Sequence, residues 1–211
     1  MSEARPQLIS VTGRRFADFL LFGVTGAELA LLFVLTPAFT LADWIYVLQH
    51  LLVLGIAFAR RPAMARDYSL PASAAVIVAY AYHYAQVAYI QWVHGAPVWP
   101  AGGLVIVTLA ACLSLASLLT LGRRFCVRPA LRGLATTGPY GLVRHPMYLA
   151  YALADIGYNL EEWNPGTLLL VAAGWAALLY RIRAEERILS RDAGWRDYAA
   201  GVRWRLVPGV W

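Results

Sequence analysis

Six apolar stretches, at about 17–36, 44–60, 72–93, 102–121, 147–160 and 167–180, divide this sequence. The longer ones reach the roughly 20 residues that a helix needs to cross a hydrocarbon core of about 30 Å. Breakers separate them: Pro37, then Ser69-Leu70-Pro71, then the run from Gly95 to Pro100, then Asn164-Pro165-Gly166. Hydrophobic residues make up 60% of the 211 positions and charged ones 14%, against about 25% charged in a soluble domain, which argues against a water-soluble enzyme. The expected fold class is an all-α integral membrane protein, a bundle of five to six transmembrane helices.

The charges sharpen that expectation. All 18 basic residues are arginines, against 12 acidic residues, giving a net charge of +6. They cluster at Arg5, Arg14 and Arg15, at Arg60, Arg61 and Arg66, between Arg123 and Arg144, and between Arg181 and Arg205; the loops 37–43, 94–100 and 158–164 hold none. Arginine in every second loop predicts a multi-pass protein, placed in a bacterial inner membrane with both termini cytoplasmic. Because topology absorbs every arginine, the basic balance needs no nucleic acid partner. The first apolar block reads as a retained helix, and Cys112 and Cys126, at different expected depths, suggest no disulfide.

Residues 1–211 read as one membrane domain, with an apolar four-helix front half over 1–121 and a catalytic C-terminal region over 122–211. The change of character comes at 122–146, a glycine-, proline- and arginine-rich loop. Its strongest element is Gly138-Pro139-Tyr140-Gly141-Leu142-Val143-Arg144-His145-Pro146-Met147-Tyr148. Glycines let backbone approach a ligand, Arg144 offers a cationic fork, His145 a donor or acceptor, and Tyr140 and Tyr148 hydroxyls and aromatic faces. Such a set suits a ligand carrying a carboxylate, an amine and an aromatic ring; it equally suits a topology loop whose His-Pro pair starts a helix. A second cluster, Arg181, Arg183, Glu185, Glu186 and Arg187, lies where the last apolar helix runs on past the membrane. Arg181 and Glu185 are four apart and can pair on one face. The plain alternative is a solvated helix surface.

Other polar residues fall inside apolar blocks: Glu28, Gln49, His50, His83, Gln86, Asp155 and Asn159. Groups at that depth face a bundle interior or a cavity. Asp155, two turns beyond Tyr148, and Asn159 are candidate substrate contacts, although helix-to-helix glue or a transport path fits such residues too. The sequence holds no HExxH, CxxC pair, GxSxG or phosphate-binding glycine loop, so metal proteolysis, elbow-serine acyl transfer and ATP hydrolysis have no residues to rest on.

The stretch TTGPYGLVRHPMYLAY at 136–151, RIRAEERIL at 181–189 and the tail GWRDYAAGVRWRLVP resemble, in that order, the isoprenylcysteine carboxyl methyltransferase and phospholipid methyltransferase superfamily. The resemblance covers roughly 122–208. It implies a helical membrane bundle with a cytoplasmic end that binds S-adenosyl-L-methionine. On this reading Tyr140, Leu142, Val143, Arg144, His145, Tyr148, Glu185 and Glu186 are the cofactor-binding residues, with Leu142 and Val143 offering backbone groups. Arg144, Arg181 and Glu186 are the catalytic candidates, the arginines holding an acceptor carboxylate or Glu186 (or His145) serving as base to an amine or thiol. The acceptor is implied to be lipidic or membrane-partitioned. Ala150 stands where the motif has glycine, and Gly141 where it often has a basic residue, departures that bear on helix packing and loop charge. Sterol-type membrane reductases using NADPH resemble this C-terminal architecture as well, in a longer bundle. A nonenzymatic transporter or assembly factor is the third reading.

Overall fold

The structure, a computed structural model, describes residues 23, 25–27, 29–34, 39–59, 63–67, 69–93 and 95–211. Glu28, Arg5, Arg14, Arg15, Arg60, Arg61 and most of the first apolar block lie outside the described residues. Six labelled helices follow: α1 (Leu41–Ala59), α2 (Leu70–Val93), α3 (Pro100–Leu121), α4 (Pro146–Glu161), α5 (Pro165–Leu189) and α6 (Trp195–Gly201). Proline in the first turn opens α3, α4 and α5, where its missing N–H costs nothing. Asn164 caps α5, its side chain accepting from Gly166 N at 2.9 Å.

The helices pack in two close pairs, α3 on α4 and α2 on α5. In the first, backbone meets backbone: a methyl group on Gly157 would lie 2.9 Å from the Gly103 carbonyl and 2.6 Å from Val107. Only glycine permits that approach. Beyond it, Ala96 and Trp163 exchange backbone hydrogen bonds of 3.0 and 2.8 Å, tying the loop before α3 to the end of α4. The core of the second pair comprises Tyr82, Tyr148, Leu178, Ile182 and Leu206, so the C-terminal tail folds back into it. The long loop after α3 is better ordered than its sequence suggests. Ala130–Leu131 forms a short antiparallel ribbon with Ala65–Arg66, and Gly138–Gly141 makes a 3-10 turn.

The structure corrects the expected number of membrane-crossing helices. Among the described residues two helical stretches are long and apolar enough to cross a membrane, Pro100–Arg124 and Pro165–Leu189. The fold is all-α with two candidate spans, not a bundle of five to six. The reasons are local. Helix α4 has 16 residues, about 24 Å of rise, less than a hydrocarbon core. Helix α1 carries Asp43, Gln49 and His50 among its apolar residues, and α2 has the length but interleaves tyrosines, His83, Gln86 and Gln91 with its aliphatic residues. The multi-pass inner-membrane placement with both termini cytoplasmic falls with it. That placement rested on an even number of crossings, and arginine in alternate loops indicates sidedness only where the helices between them span.

Candidate functional site

Proline at 146 bars His145 from helical geometry, and the chain arrives at α4 with His145 at φ −129°, ψ 62°. That leaves two backbone N–H groups facing outward, and the tail takes them: Arg144 N donates to Trp204 O at 2.9 Å and His145 N to Arg205 O at 2.8 Å. The Arg-His-Pro turn is thereby clamped between α5 and the tail. Tyr198 on α6 adds a third tie, donating from its hydroxyl to Tyr140 O at 2.9 Å.

Against this turn stands the charged end of α5, beyond the apolar part of that helix. Glu186, whose side chain is 13% exposed, gathers three partners: Arg144 Nη1 at 3.2 Å, His145 Nε2 at 3.4 Å and Arg205 Nε at 2.9 Å. Burial alone would raise its pKa. The hydrogen bonds from His145 and Arg205, with Arg144 beside them, outweigh that and hold the carboxyl below its ordinary value. Glu185 accepts from the Tyr148 hydroxyl at 2.5 Å and lies 3.8 Å from both Arg181 Nη2 and His145 Nδ1. Burial, reinforced by the Glu185 carboxylate, pushes the Tyr148 hydroxyl well above the usual phenol range, so it stays a donor. Arg181 also donates to Val127 O at 2.8 Å, and its guanidinium lies 5.6 Å from the centre of the Tyr148 ring.

These groups surround a cavity of about 900 Å³, its open mouth included. Of the residues singled out by the sequence, Tyr140, Arg144, His145, Tyr148, Arg181 and Glu185 line it. Glu186 lies behind the wall as the anchor of Arg144, His145 and Arg205. Leu142 and Val143 do not line the cavity. Leu142 is exposed, and both spend their N–H groups on Pro139 O, at 3.1 and 3.3 Å.

Asp155 and Asn159 sit elsewhere on α4, in a separate buried cluster. Asp155 Oδ2 accepts from Trp175 Nε1 at 2.7 Å and from the Tyr82 hydroxyl at 3.3 Å. Asn159 donates to Asp155 O at 2.8 Å and accepts from the Thr167 hydroxyl at 2.6 Å. The cluster joins α2, α4 and α5, and none of these five residues lines the cavity.

The structure adds residues that sequence reasoning passed over. Arg124, Cys126, Trp195 and Tyr198 line the cavity, and Arg205 completes the Glu186 cluster. The basic, aromatic tail signalled a role for 195–205 without saying which side chain meets which. Burial pushes the Cys126 thiol up to about 11, so this cysteine is a neutral wall rather than a nucleophile. What remains is a pocket with aromatic walls, one carboxylate and three arginines on its surface. It can hold a zwitterionic ligand with an aromatic ring and shelter it from water.

Residues 98–192 match the family described as phospholipid methyltransferase. Over 108 residues the chain is 29% identical to Protein-S-isoprenylcysteine O-methyltransferase A of Arabidopsis thaliana, a match that covers 47% of this chain and 55% of that protein. The chain thus spans about half the length of the curated relative it matches.

Proposed function

The chain belongs to the isoprenylcysteine carboxyl methyltransferase and phospholipid methyltransferase superfamily, and on that premise we propose that it is a methyltransferase that binds S-adenosylmethionine in the cavity at the end of α5 and methylates a lipidic acceptor. The observation that carries this reading is the convergence of Tyr140, Arg144, His145 and Tyr148 with Glu185, from segments some 40 residues apart, on one pocket. The donor set fits the cofactor. Glu185 offers a carboxylate to an ammonium or to ribose hydroxyls, and Tyr140, Tyr148, Trp195 and Tyr198 offer faces to an adenine ring or a cation. The arginines answer a carboxylate.

S-adenosylmethionine, when bound, supplies a methyl group on a positively charged sulfur, transferred by in-line displacement. The protein's part is placement and dryness. Tyr148 fixes Glu185 Oε1, leaving Oε2 toward His145, so the carboxylate has one orientation before any ligand arrives. Glu186 fixes Arg144 and His145 together, while the tail holds their backbone. A carboxylate acceptor needs only alignment and removal of water. For an amine or thiol acceptor, Glu185 is the carboxylate on the cavity wall that can take the proton, whereas Glu186 is already committed to three partners.

The test is calorimetric titration of the purified protein with S-adenosylhomocysteine, run beside NADPH. We expect the first to bind and the second not to; NADPH binding alone would replace this reading with a reductase.

A further inference from the structure

Helix α5 has two sides of different character. Leu178, Arg181, Ile182 and Ile188 are buried, and Glu185 faces the cavity. The opposite side is uncovered: Leu169, Ala172, Ala173, Ala176, Arg183 and Arg187 are all exposed. At 3.6 residues per turn these six fall within about 60° of one line along the helix. They form a single stripe that passes from apolar to cationic, with Tyr180 at the border.

The two cations on it are uncommitted. Arg144 and Arg181 meet Glu186 and Glu185, but neither Arg183 nor Arg187 has a carboxylate within ion-pair distance among the described residues. Asp67, which feels Arg187 and Arg191 at longer range, is turned to Ser69 N at 2.9 Å. Arg187 lies back along the helix, donating from Nε to Arg183 O at 3.3 Å and resting 5.9 Å from the centre of the Tyr180 ring. That brings its guanidinium to the border of the apolar half, with its stem covering the helix.

The dimensions fit a lipid. Helix α5 is one of the two stretches long and apolar enough to cross a membrane. From Leu169 to Tyr180 it rises about 16 Å, close to half of a hydrocarbon core of about 30 Å, so the arginines begin where one leaflet gives way to head groups. Charge selects the occupant. A second copy laid side by side in the same orientation would bring arginine against arginine, whereas a lipid phosphate answers both.

We propose that this outer face of α5 is a docking surface for an anionic phospholipid that is not itself methylated, its phosphate at Arg183 and Arg187 and one acyl chain along Leu169 to Ala176. Glu185 and Glu186 leave the same turns of the helix on the other side, so a lipid held here sets the cavity mouth at the height of the head groups. The surface does not depend on the methyltransferase reading.

The experiment measures retention of dioleoyl phosphatidylglycerol and dioleoyl phosphatidylcholine by the full chain in neutral detergent, counted by mass spectrometry of intact complexes at low salt, where exposed charges are least screened. Wild type should retain the anionic lipid about tenfold better, and Arg183→Gln with Arg187→Gln should bring the two lipids within about twofold. The corresponding double lysine variant should keep most of the preference, which separates lost charge from lost folding. Arg196→Gln, exposed on α6 and off the stripe, should keep all of it. Equal retention by wild type, a preference that survives the double glutamine variant, or one lost as completely with lysine or with Arg196→Gln overturns the assignment. So does recovery of methylated phosphatidylglycerol after incubation with S-adenosylmethionine, which would make this lipid an acceptor, or a lipid-free dimer joined through the stripe. Failure of S-adenosylhomocysteine to bind would sink the methyltransferase reading alone, because the lipid arms are read without it.

Discussion

Two buried polar clusters draw on α4 and α5, and they are built on opposite plans. At Asp155 one carboxylate meets neutral donors, the indole of Trp175 and the phenol of Tyr82, in a closed interior. At Glu185 and Glu186 two carboxylates meet Arg144, His145, Arg181 and Arg205 beside an open cavity. Complete partnering does not separate them, since Asp155 Oδ1 in the one and Arg144 Nε in the other are buried without a hydrogen bond. Only the second gathers charges of both signs, and it does so on the wall of a cavity. A carboxylate held by neutral donors between helices thus marks a place where the fold is specified; a cluster of charges facing a cavity marks a place suited to a ligand.

If that contrast is sound, removing an acid should unmake the two clusters differently. The largest effect belongs to Glu186→Ala, which strips Arg144, His145 and Arg205 of a shared partner at once. We expect a stability loss of about 3 kcal/mol, the low end for uncovering buried charge because Arg205 is a third exposed, together with loss of S-adenosylhomocysteine binding. An unchanged unfolding temperature would mean these are merely solvated pairs. The same carboxyl sets an acid limb. Because its folded pKa lies below the ordinary 4.5, its stabilisation is present above pH 4.5 and drains away as the pH falls through the lower folded value. Melting temperature against pH should lose that part of its slope in Glu186→Gln.

Next comes Glu185→Gln, which keeps an acceptor for Tyr148 but removes the charge on the cavity wall. Affinity for S-adenosylhomocysteine should drop about tenfold or more in calorimetry while the melting temperature stays nearly constant. A variant that loses stability and keeps affinity would exchange the roles of the two glutamates.

How much of this was legible beforehand follows from what each signal encodes. Arg144, His145 and Tyr148 are contiguous, Glu185 and Glu186 adjacent, and such local runs carry their chemistry in plain view. Arg124 and Arg205 do not, because each acquires its meaning from chain some 20 or more residues away. Helix positions were readable to within a few residues: 72–93 became Leu70–Val93 and 102–121 became Pro100–Leu121. The number of spans was not, because length and apolarity part company: 72–93 is long but diluted by tyrosines, His83 and Gln86, 147–160 forms a helix too short to cross, and 167–180 belongs to a helix that runs on to Leu189. Leu142 and Val143 illustrate the limit at the smallest scale. Their N–H groups could reach a ligand on paper, but the 3-10 turn at Gly138–Gly141 spends both on Pro139 O.

Smaller effects test the closed cluster and the outer face of the loop. Asp155→Asn retains a carbonyl oxygen for Trp175 and should cost about 1 kcal/mol of stability, with S-adenosylhomocysteine affinity within about twofold of wild type. A tenfold loss of affinity there would erase the distinction between a cluster that specifies the fold and one that binds, since Asp155 could then reach the cavity only by repositioning α4. The smallest effect is expected at Leu142→Ala. Leu142 is 73% exposed and its neighbours' hydrogen bonds run through backbone, so truncation should shift stability by less than about 0.5 kcal/mol and leave affinity unchanged. A measurable loss of binding in this variant would put Leu142 on the ligand after all, and would require the loop to close over the cavity when the site is filled.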